Sequence, residues 1–84
     1  STFGEIDIVA RKDDTVIFVE VKNYHPGSST TPYESVTLNK QRKCIQTARR
    51  YIFQHDHQGC RYQFDVIICS DGQVEDHIEG AFTL

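Results

Sequence analysis

The sequence predicts an α/β fold, with a small mixed β-sheet and one main helix in a single domain of residues 1–84. Two runs rich in Val, Ile and Phe, at 4–11 and 15–22, flank a polar turn and indicate paired strands. Apolar residues then recur at spacings of three and four between 38 and 52, as in an amphipathic helix. Two further strands are expected, at 62–70 and at 74–78.

Composition sets the class of protein. The chain has 84 residues, of which 38% are hydrophobic and 25% charged, and this balance is typical of one small globular domain. No stretch approaches the length of a membrane span, and no signal-like apolar segment is present. The three cysteines are odd in number and lack CxxC spacing, which suits a reducing cytoplasm better than a disulfide framework. The sequence therefore predicts a cytoplasmic protein without a membrane segment.

The first two strands bring charged residues together. If their turn is centred between residues 13 and 14, paired residue numbers sum to 27, so that Asp7 faces Glu20 and Glu5 faces Lys22. Strand side chains alternate between faces, which places these four residues on one face. A register slip of one residue would separate them. The opposite face is apolar and carries Ile6, Ile8, Ala10, Ile17, Val19 and Val21.

Two carboxylates directly across a strand pair repel each other, and burial makes this repulsion more costly. A divalent Mg²⁺ or Mn²⁺ ion between Asp7 and Glu20 would remove the conflict, because hard cations bind carboxylate oxygens. Lys22 would then lie beside the metal. A metal lowers the pKa of a bound water, and a lysine positions that water or neutralises charge on a phosphate. The cluster therefore suits phosphodiester hydrolysis.

The alternative is an ordinary solvated face. Glutamate and lysine two positions apart on a strand are usually surface residues, and Glu5 with Lys22 would form a simple cross-strand ion pair. Apolar residues on both faces of 16–21 favour a buried strand instead.

The helix, expected to begin after Thr37 and to end near Gln54, concentrates positive charge. The net charge of the chain is −3, but its distribution matters more than the sum for nucleic-acid binding. Five of the nine basic residues fall within eleven positions, with no acid between them to form helix ion pairs. This favours phosphate contact over a merely solvated face. The five are Lys40, Arg42, Lys43, Arg49 and Arg50.

The later strands carry one unusual charge. Asp65 interrupts the third strand and is either a further acid of the site or a salt-bridge partner of Arg61 or of a helix base. Charged residues within strands are more often paired than catalytic, which favours the structural role. The acidic segment 74–78 is expected at a sheet edge, where charge discourages pairing with other chains. Ala81 and Phe82 are expected to pack back on the core.

Two blocks carry a family resemblance: Gly-Glu-Ile-Asp-Ile-Val-Ala at 4–10 and Phe-Val-Glu-Val-Lys at 18–22. They resemble the core of the YraN family of predicted endonucleases, within the PD-(D/E)XK, restriction-endonuclease-like superfamily. The resemblance covers nearly the whole chain as an ordered set of blocks, continuing at 32–37, 40–42, 48–51, 64–66 and 77–82.

The resemblance implies a restriction-endonuclease-like core that lacks the family's first helix and strand. The chain is therefore expected to be a fragment or the ordered part of a longer protein. An unpaired sheet edge left by a missing strand would be open to a second copy, giving a homo-oligomer.

For the site, the resemblance implies that Asp7 and Glu20 bind Mg²⁺ or Mn²⁺, with the Val21 carbonyl as a further ligand. Lys22 would position the attacking water or stabilise charge on the phosphate. Gln41, like Glu5, would lie behind the ligands and steady them; the alternative for Gln41 is a hydrogen bond to backbone at the helix start. Tyr51 belongs to the same helix block as Lys40 and Gln41 in the resemblance, and it is expected to pack instead.

The predicted function is a metal-dependent endonuclease acting on DNA, with branched DNA as a substrate by analogy with the superfamily. The alternative is a binding module with a nuclease-like fold that grips nucleic acid without cutting it. A third hypothesis is a structural or protein-partner role through the open sheet edge.

Overall fold

A computed structural model of the protein describes residues 6–25, 27, 33, 36–55 and 59–84. These residues form four strands and one α-helix, in the order β1 (Ile8–Lys12), β2 (Thr15–Asn23), α1 (Leu38–His55), β3 (Arg61–Ser70) and β4 (Gln73–Phe82). The α/β class is confirmed, and the helix begins and ends within one residue of the predicted bounds. Strand β4 runs four residues further than expected, to Phe82.

The strands form one sheet in the order β1-β2-β3-β4. The outer pairs are antiparallel, whereas β2 and β3 are parallel, so the sheet is mixed as predicted. Parallel neighbours require a crossover connection, and α1 supplies it between β2 and β3. Among the described strands, β1 and β4 lie at the two edges, which confirms the edge position of the acidic final strand.

The predicted register of the first hairpin is confirmed. The pairs run from Ile8 with Val19 to Lys12 with Thr15, and the paired numbers sum to 27 throughout. The turn is formed by the two residues between these strands. Asp13 has a φ of 56° there, in the left-handed region that Asp enters more readily than most residues.

The alternation of faces fails at Asp7, which is a correction to the sequence analysis. Ile6 is 3% exposed and belongs to the core, whereas Ile8 is 47% exposed, although a regular strand would place both on one face. The Asp7 N–H donates to the carbonyl of Val19, the partner of Ile8, at 3.0 Å. The regular ladder ends there, so the expected pairing of Asp7 with Glu20 lies beyond it and Ile6 packs in the core instead.

Helix α1 packs on the sheet face that carries Phe18 and Phe64, with Cys44 and Ala48 as its buried residues. Aromatic rings fill this core. Phe18 lies 5.4 Å from Phe64 between ring centroids, and Phe82 stacks on Phe64 at 4.7 Å. The expected return to the core is confirmed for Phe82, whereas Ala81 is exposed. In the described part of the chain, no helix has both the length and the apolar character that crossing a bilayer requires.

Candidate functional site

Glu20 is the centre of the candidate site. It lies on β2, two residues after Phe18, and its side chain is only 6% exposed. A buried carboxylate needs compensating partners, and two ammonium groups provide them. Lys22 Nζ lies 3.1 Å and Lys40 Nζ lies 3.4 Å from the same oxygen, Glu20 Oε1. The other oxygen, Oε2, accepts a weak hydrogen bond from the Cys44 thiol at 3.7 Å.

Lys40 contacts the carboxylate because of where the helix begins. The Thr37 hydroxyl accepts the Lys40 backbone N–H at 3.2 Å, so Thr37 is the N-cap that the sequence predicts. Lys40 therefore lies in the first turn of α1, from which its ammonium group reaches Glu20. The sequence analysis assigned Lys40 to phosphate contact, which stays a prediction, and did not name Glu20 as its partner. Its pairing with Glu20 joins helix to sheet, and no local pattern signals such a contact.

Asp7 reaches the site through the backbone. Its carboxylate oxygen Oδ2 accepts the Val21 N–H at 2.8 Å, directly beside Glu20 in the chain. The N–H and C=O of one strand residue point to the same side, so the Val21 carbonyl lies on the side of β2 that faces Asp7. Asp7 itself is exposed, whereas the hairpin pattern predicted a mostly buried face, because the chain leaves the ladder at this residue.

Gln41 and Glu5 are the two residues predicted to lie behind the metal ligands and steady them. Gln41 donates its side-chain amide to the Val36 carbonyl at 3.3 Å, the backbone contact that the alternative interpretation expects. Glu5 lies outside the described residues. Tyr51 packs as expected, with its ring edge-on to Phe18 at 5.7 Å.

The donor atoms around Glu20 are suited to a hard divalent cation. Asp7 and Glu20 supply carboxylate oxygens and Val21 a carbonyl oxygen, the ligand types that Mg²⁺ and Mn²⁺ prefer. Mg²⁺ keeps several waters and needs only one or two carboxylates from the protein. Within the described ranges, no group of three or more His, Cys, Asp or Glu side chains could hold a metal ion. Asp7, Glu20 and the Val21 carbonyl therefore offer few protein ligands, and a metal bound by them would need waters to complete its coordination.

The outer face of α1 is basic. Four of the five predicted phosphate-binding residues are exposed there, while Lys40 turns to Glu20. The helix contains no Asp or Glu, so its own residues leave these charges uncompensated. The four exposed residues are Arg42, Lys43, Arg49 and Arg50.

Asp65 is held by neighbours that the sequence analysis did not name. It is 2% exposed and accepts hydrogen bonds from Gln63 Nε2 at 2.8 Å, His77 Nε2 at 2.7 Å and the Gly80 N–H at 3.0 Å. Burial by itself would raise the pKa of Asp65, but these bonds and the His77 charge outweigh it and hold the pKa below its ordinary value of 3.8. The expected pairing with Arg61 or a helix base is wrong: Asp65 lies on the sheet face away from α1, and its ion-pair partner is His77 of β4 rather than Arg61.

Two tyrosines tie the connection after β2 to strand β4. The Tyr24 hydroxyl donates to Glu75 at 3.2 Å, and the Tyr33 hydroxyl donates to Asp76 at 2.5 Å. The negative charge of Glu75 raises the pKa of Tyr24, and the hydrogen bond to Asp76 raises that of Tyr33. These contacts join residues more than forty positions apart, so the sequence analysis missed them.

The amino-acid sequence is similar to one protein family and to several of its members. Residues 1–69 match the family model of the uncharacterised protein family UPF0102. A UPF0102 protein of Myxococcus xanthus (strain DK1622) is 45% identical over 83 residues, covering 95% of this chain and 66% of the relative. One of Sulfurihydrogenibium sp. (strain YO3AOP1) is 38% identical over 84 residues, covering all of this chain and 72% of the relative. A third UPF0102 protein, of Chloroherpeton thalassium, is 44% identical over 64 residues, which cover 76% of this chain and 50% of the relative.

Proposed function

The chain belongs to the uncharacterised protein family UPF0102, the YraN family, and we propose that it is a metal-dependent endonuclease that hydrolyses phosphodiester bonds in DNA. The observation that carries the proposal is the environment of Glu20. A buried carboxylate lies between two lysines, while Asp7 binds the backbone N–H of the next residue. Acids and lysines in this arrangement suit the binding and hydrolysis of a phosphate diester.

Each residue has a distinct role in the proposal. Asp7, Glu20 and the Val21 carbonyl would hold Mg²⁺ or Mn²⁺, which supplies an activated water and stabilises charge on the phosphate. Lys22, held 3.1 Å from Glu20, would orient the attacking water or neutralise charge that develops on the phosphate. Lys40 would fix the orientation of the Glu20 carboxylate from the helix side.

The basic outer face of α1 would bind the DNA backbone. Phosphate contacts by Lys and Arg provide affinity and orientation without sequence specificity. Branched DNA is proposed as a substrate on superfamily analogy. The four cations concerned are Arg42, Lys43, Arg49 and Arg50.

The experiment is a cleavage assay with the complete protein on plasmid, linear duplex, single-stranded and four-way-junction DNA, with Mg²⁺, Mn²⁺ or a chelator. Glu20→Gln removes the charge but keeps the size of the side chain, and should lower the rate about 100-fold or more. Glu79→Gln, an exposed residue of β4, is the matched control and should cut like the unmodified protein. Unchanged cleavage by Glu20→Gln would exclude the proposed site.

A binding module without catalysis is the second candidate, favoured by one observation. Glu20 Oε1 already has two ammonium partners, which is how a purely structural buried carboxylate is satisfied. In that case Arg49→Glu and Arg50→Glu should abolish DNA binding, while Glu20→Gln should leave it intact. Metal-dependent cleavage that is lost in Glu20→Gln would exclude this candidate.

A third candidate is association of two copies through a sheet edge. Strand β1 is the edge without the acidic residues that line β4, so we propose it as the side for pairing. Light scattering of the complete protein tests this proposal: a defined dimer that Val9→Pro converts to monomer supports it, and a monomer at all concentrations contradicts it.

A further inference from the structure

Phe53 is the most exposed of the large apolar side chains in the described part of the chain, at 89%. It lies in the last turns of α1, four positions after Arg49 and three after Arg50. Residues at these spacings are neighbours on a helix surface, so Phe53 and the two arginines occupy adjacent positions on the outer face of α1. A single exposed apolar residue is common, but an aromatic ring within a basic helix face is a specific combination.

This combination matches one class of ligand. Proteins that bind single-stranded nucleic acid pair a basic surface, which follows the phosphates, with aromatic rings on which unpaired bases stack. A duplex keeps its bases stacked on each other and offers Phe53 only its charged backbone. The cations of α1 alone would serve either form of DNA, whereas the ring gains a partner only from an unpaired base.

We propose that the outer face of α1 binds single-stranded DNA, with one unpaired base stacked on Phe53. The phosphates on either side would contact Arg49 and Arg50, and the strand would continue along the helix toward Arg42 and Lys43. The inference rests on the proposed function for the choice of DNA, and it adds the substrate class: DNA with an unpaired stretch, at an end, a gap or a branch.

The location of the ring is compatible with delivery of a strand to the candidate site. Phe53 follows Lys40, which contacts Glu20, by thirteen positions, or about 20 Å along the helix axis. A strand anchored at Phe53 therefore has room for several nucleotides between the stacked base and the site.

The alternative partner for the exposed Phe53 ring is a second copy of the chain. The same face of a second copy carries the same four cations, so a symmetric contact there would bring like charges together. A DNA strand has the opposite charge. Charge complementarity therefore favours DNA, and the experiment includes the oligomeric state as a readout.

The first test uses fluorescence anisotropy of a labelled 20-nucleotide oligothymidylate and of a duplex of equal length, with a chelator present so that no cleavage occurs. Phe53→Ala should weaken binding to the single strand about tenfold or more and change duplex binding less than about twofold. Phe53→Tyr keeps a stacking ring and should bind like the unmodified protein. The matched control is Leu38→Ala, which removes another exposed apolar side chain, 68% exposed, from the same helix. It should leave both affinities unchanged.

A second test reports stacking directly. The chain contains no Trp, so Phe53→Trp introduces a single tryptophan at the proposed contact, whose emission can be excited separately from that of the four tyrosines. Its emission should be quenched as the oligothymidylate saturates the protein and should change little with the duplex.

Two results would overturn the inference. In one, Phe53→Ala binds the single strand as tightly as the unmodified protein, so that the ring contributes nothing. In the other, light scattering finds a dimer that Phe53→Ala dissociates, so that the ring belongs to a contact between copies. Neither result depends on cleavage. A protein that binds single strands through Phe53 but cuts no DNA would contradict the nuclease proposal alone.

Discussion

Lys40 Nζ lies 3.4 Å from Glu20 Oε1, although the lysine lies in the first turn of the helix and the glutamate lies inside the sheet. Lys22, on the same strand as Glu20, approaches that oxygen at 3.1 Å. One carboxylate oxygen therefore connects the N-terminal turn of α1 to the end of β2. In the proposed mechanism the two lysines differ: Lys22 acts on water or phosphate, whereas Lys40 acts through Glu20.

The two lysines should differ in kinetics. Lys22→Met should lower kcat about 100- to 1,000-fold, because a charge that stabilises the transition state is lost. Lys40→Met should lower kcat about tenfold with little change in KM, because it loosens Glu20 without removing a phosphate contact. Arg50→Glu should instead raise KM, since it weakens DNA binding. Steady-state cleavage kinetics measure all three variants, and a rise in KM alone for Lys40→Met would show that Lys40 contacts phosphate.

The Thr37 cap of α1 should contribute to the stability of the protein. Thr37→Ala removes the acceptor of the Lys40 N–H and should lower the free energy of unfolding by about 1 kcal/mol. Thr47→Ala is the matched control, because the Thr47 hydroxyl only donates to the Lys43 carbonyl within the helix. Alanine is the better helix former there, so this variant should be as stable as the unmodified protein or slightly more stable. Urea unfolding of the two variants compares them, and equal losses would contradict the capping role.

Asp65 should make stability depend on acid pH. Its pKa is lower in the folded protein than its ordinary value of 3.8, so the stabilisation that it gives is present above pH 4. As the pH falls through the lowered pKa, the carboxylate is protonated in the folded state and that contribution is lost. Asp65→Asn should lower the free energy of unfolding by about 1–3 kcal/mol at pH 7, and the difference should shrink between pH 4 and pH 2.

Urea unfolding at a series of pH values tests the Asp65 prediction. The control is Asp71→Asn, an exposed turn residue with a φ of 51°, a conformation that Asn also tolerates. Its difference from the unmodified protein should be small at every pH. A constant difference for Asp65→Asn from pH 7 to pH 2 would contradict the assigned hydrogen-bonding role.

Features that depend on local pattern were predictable from the sequence. The hairpin register follows from a two-residue turn between runs of alternating side chains, and α1 follows from its apolar spacing and its Thr37 cap. Glu20 and Lys22 share a face by alternation alone, and the structure brings their charges to 3.1 Å.

Features that depend on tertiary structure were not predictable. The break at Asp7 arises because one backbone N–H bonds the carbonyl of Val19, and strand alternation contains no signal for it. Two of the three partners of Asp65, His77 and Gly80, come from the register of β4, which begins after a turn and includes a shift between Phe64 and Val66. The contact of Lys40 with Glu20 requires the packing of helix on sheet. Pattern rules describe single elements and strands joined by a tight turn, so contacts between elements distant in sequence lie beyond them.

The central claim is that Asp7 and Glu20 hold one divalent metal ion, and calorimetric titration of Mn²⁺ into the complete protein tests it most directly. The unmodified protein should bind one Mn²⁺ ion, and Asp7→Asn and Glu20→Gln should each lose this binding while circular dichroism shows that they remain folded. The control Glu79→Gln should bind like the unmodified protein. A folded protein that takes up no Mn²⁺, or that binds it equally well without either carboxylate, would contradict the proposed site.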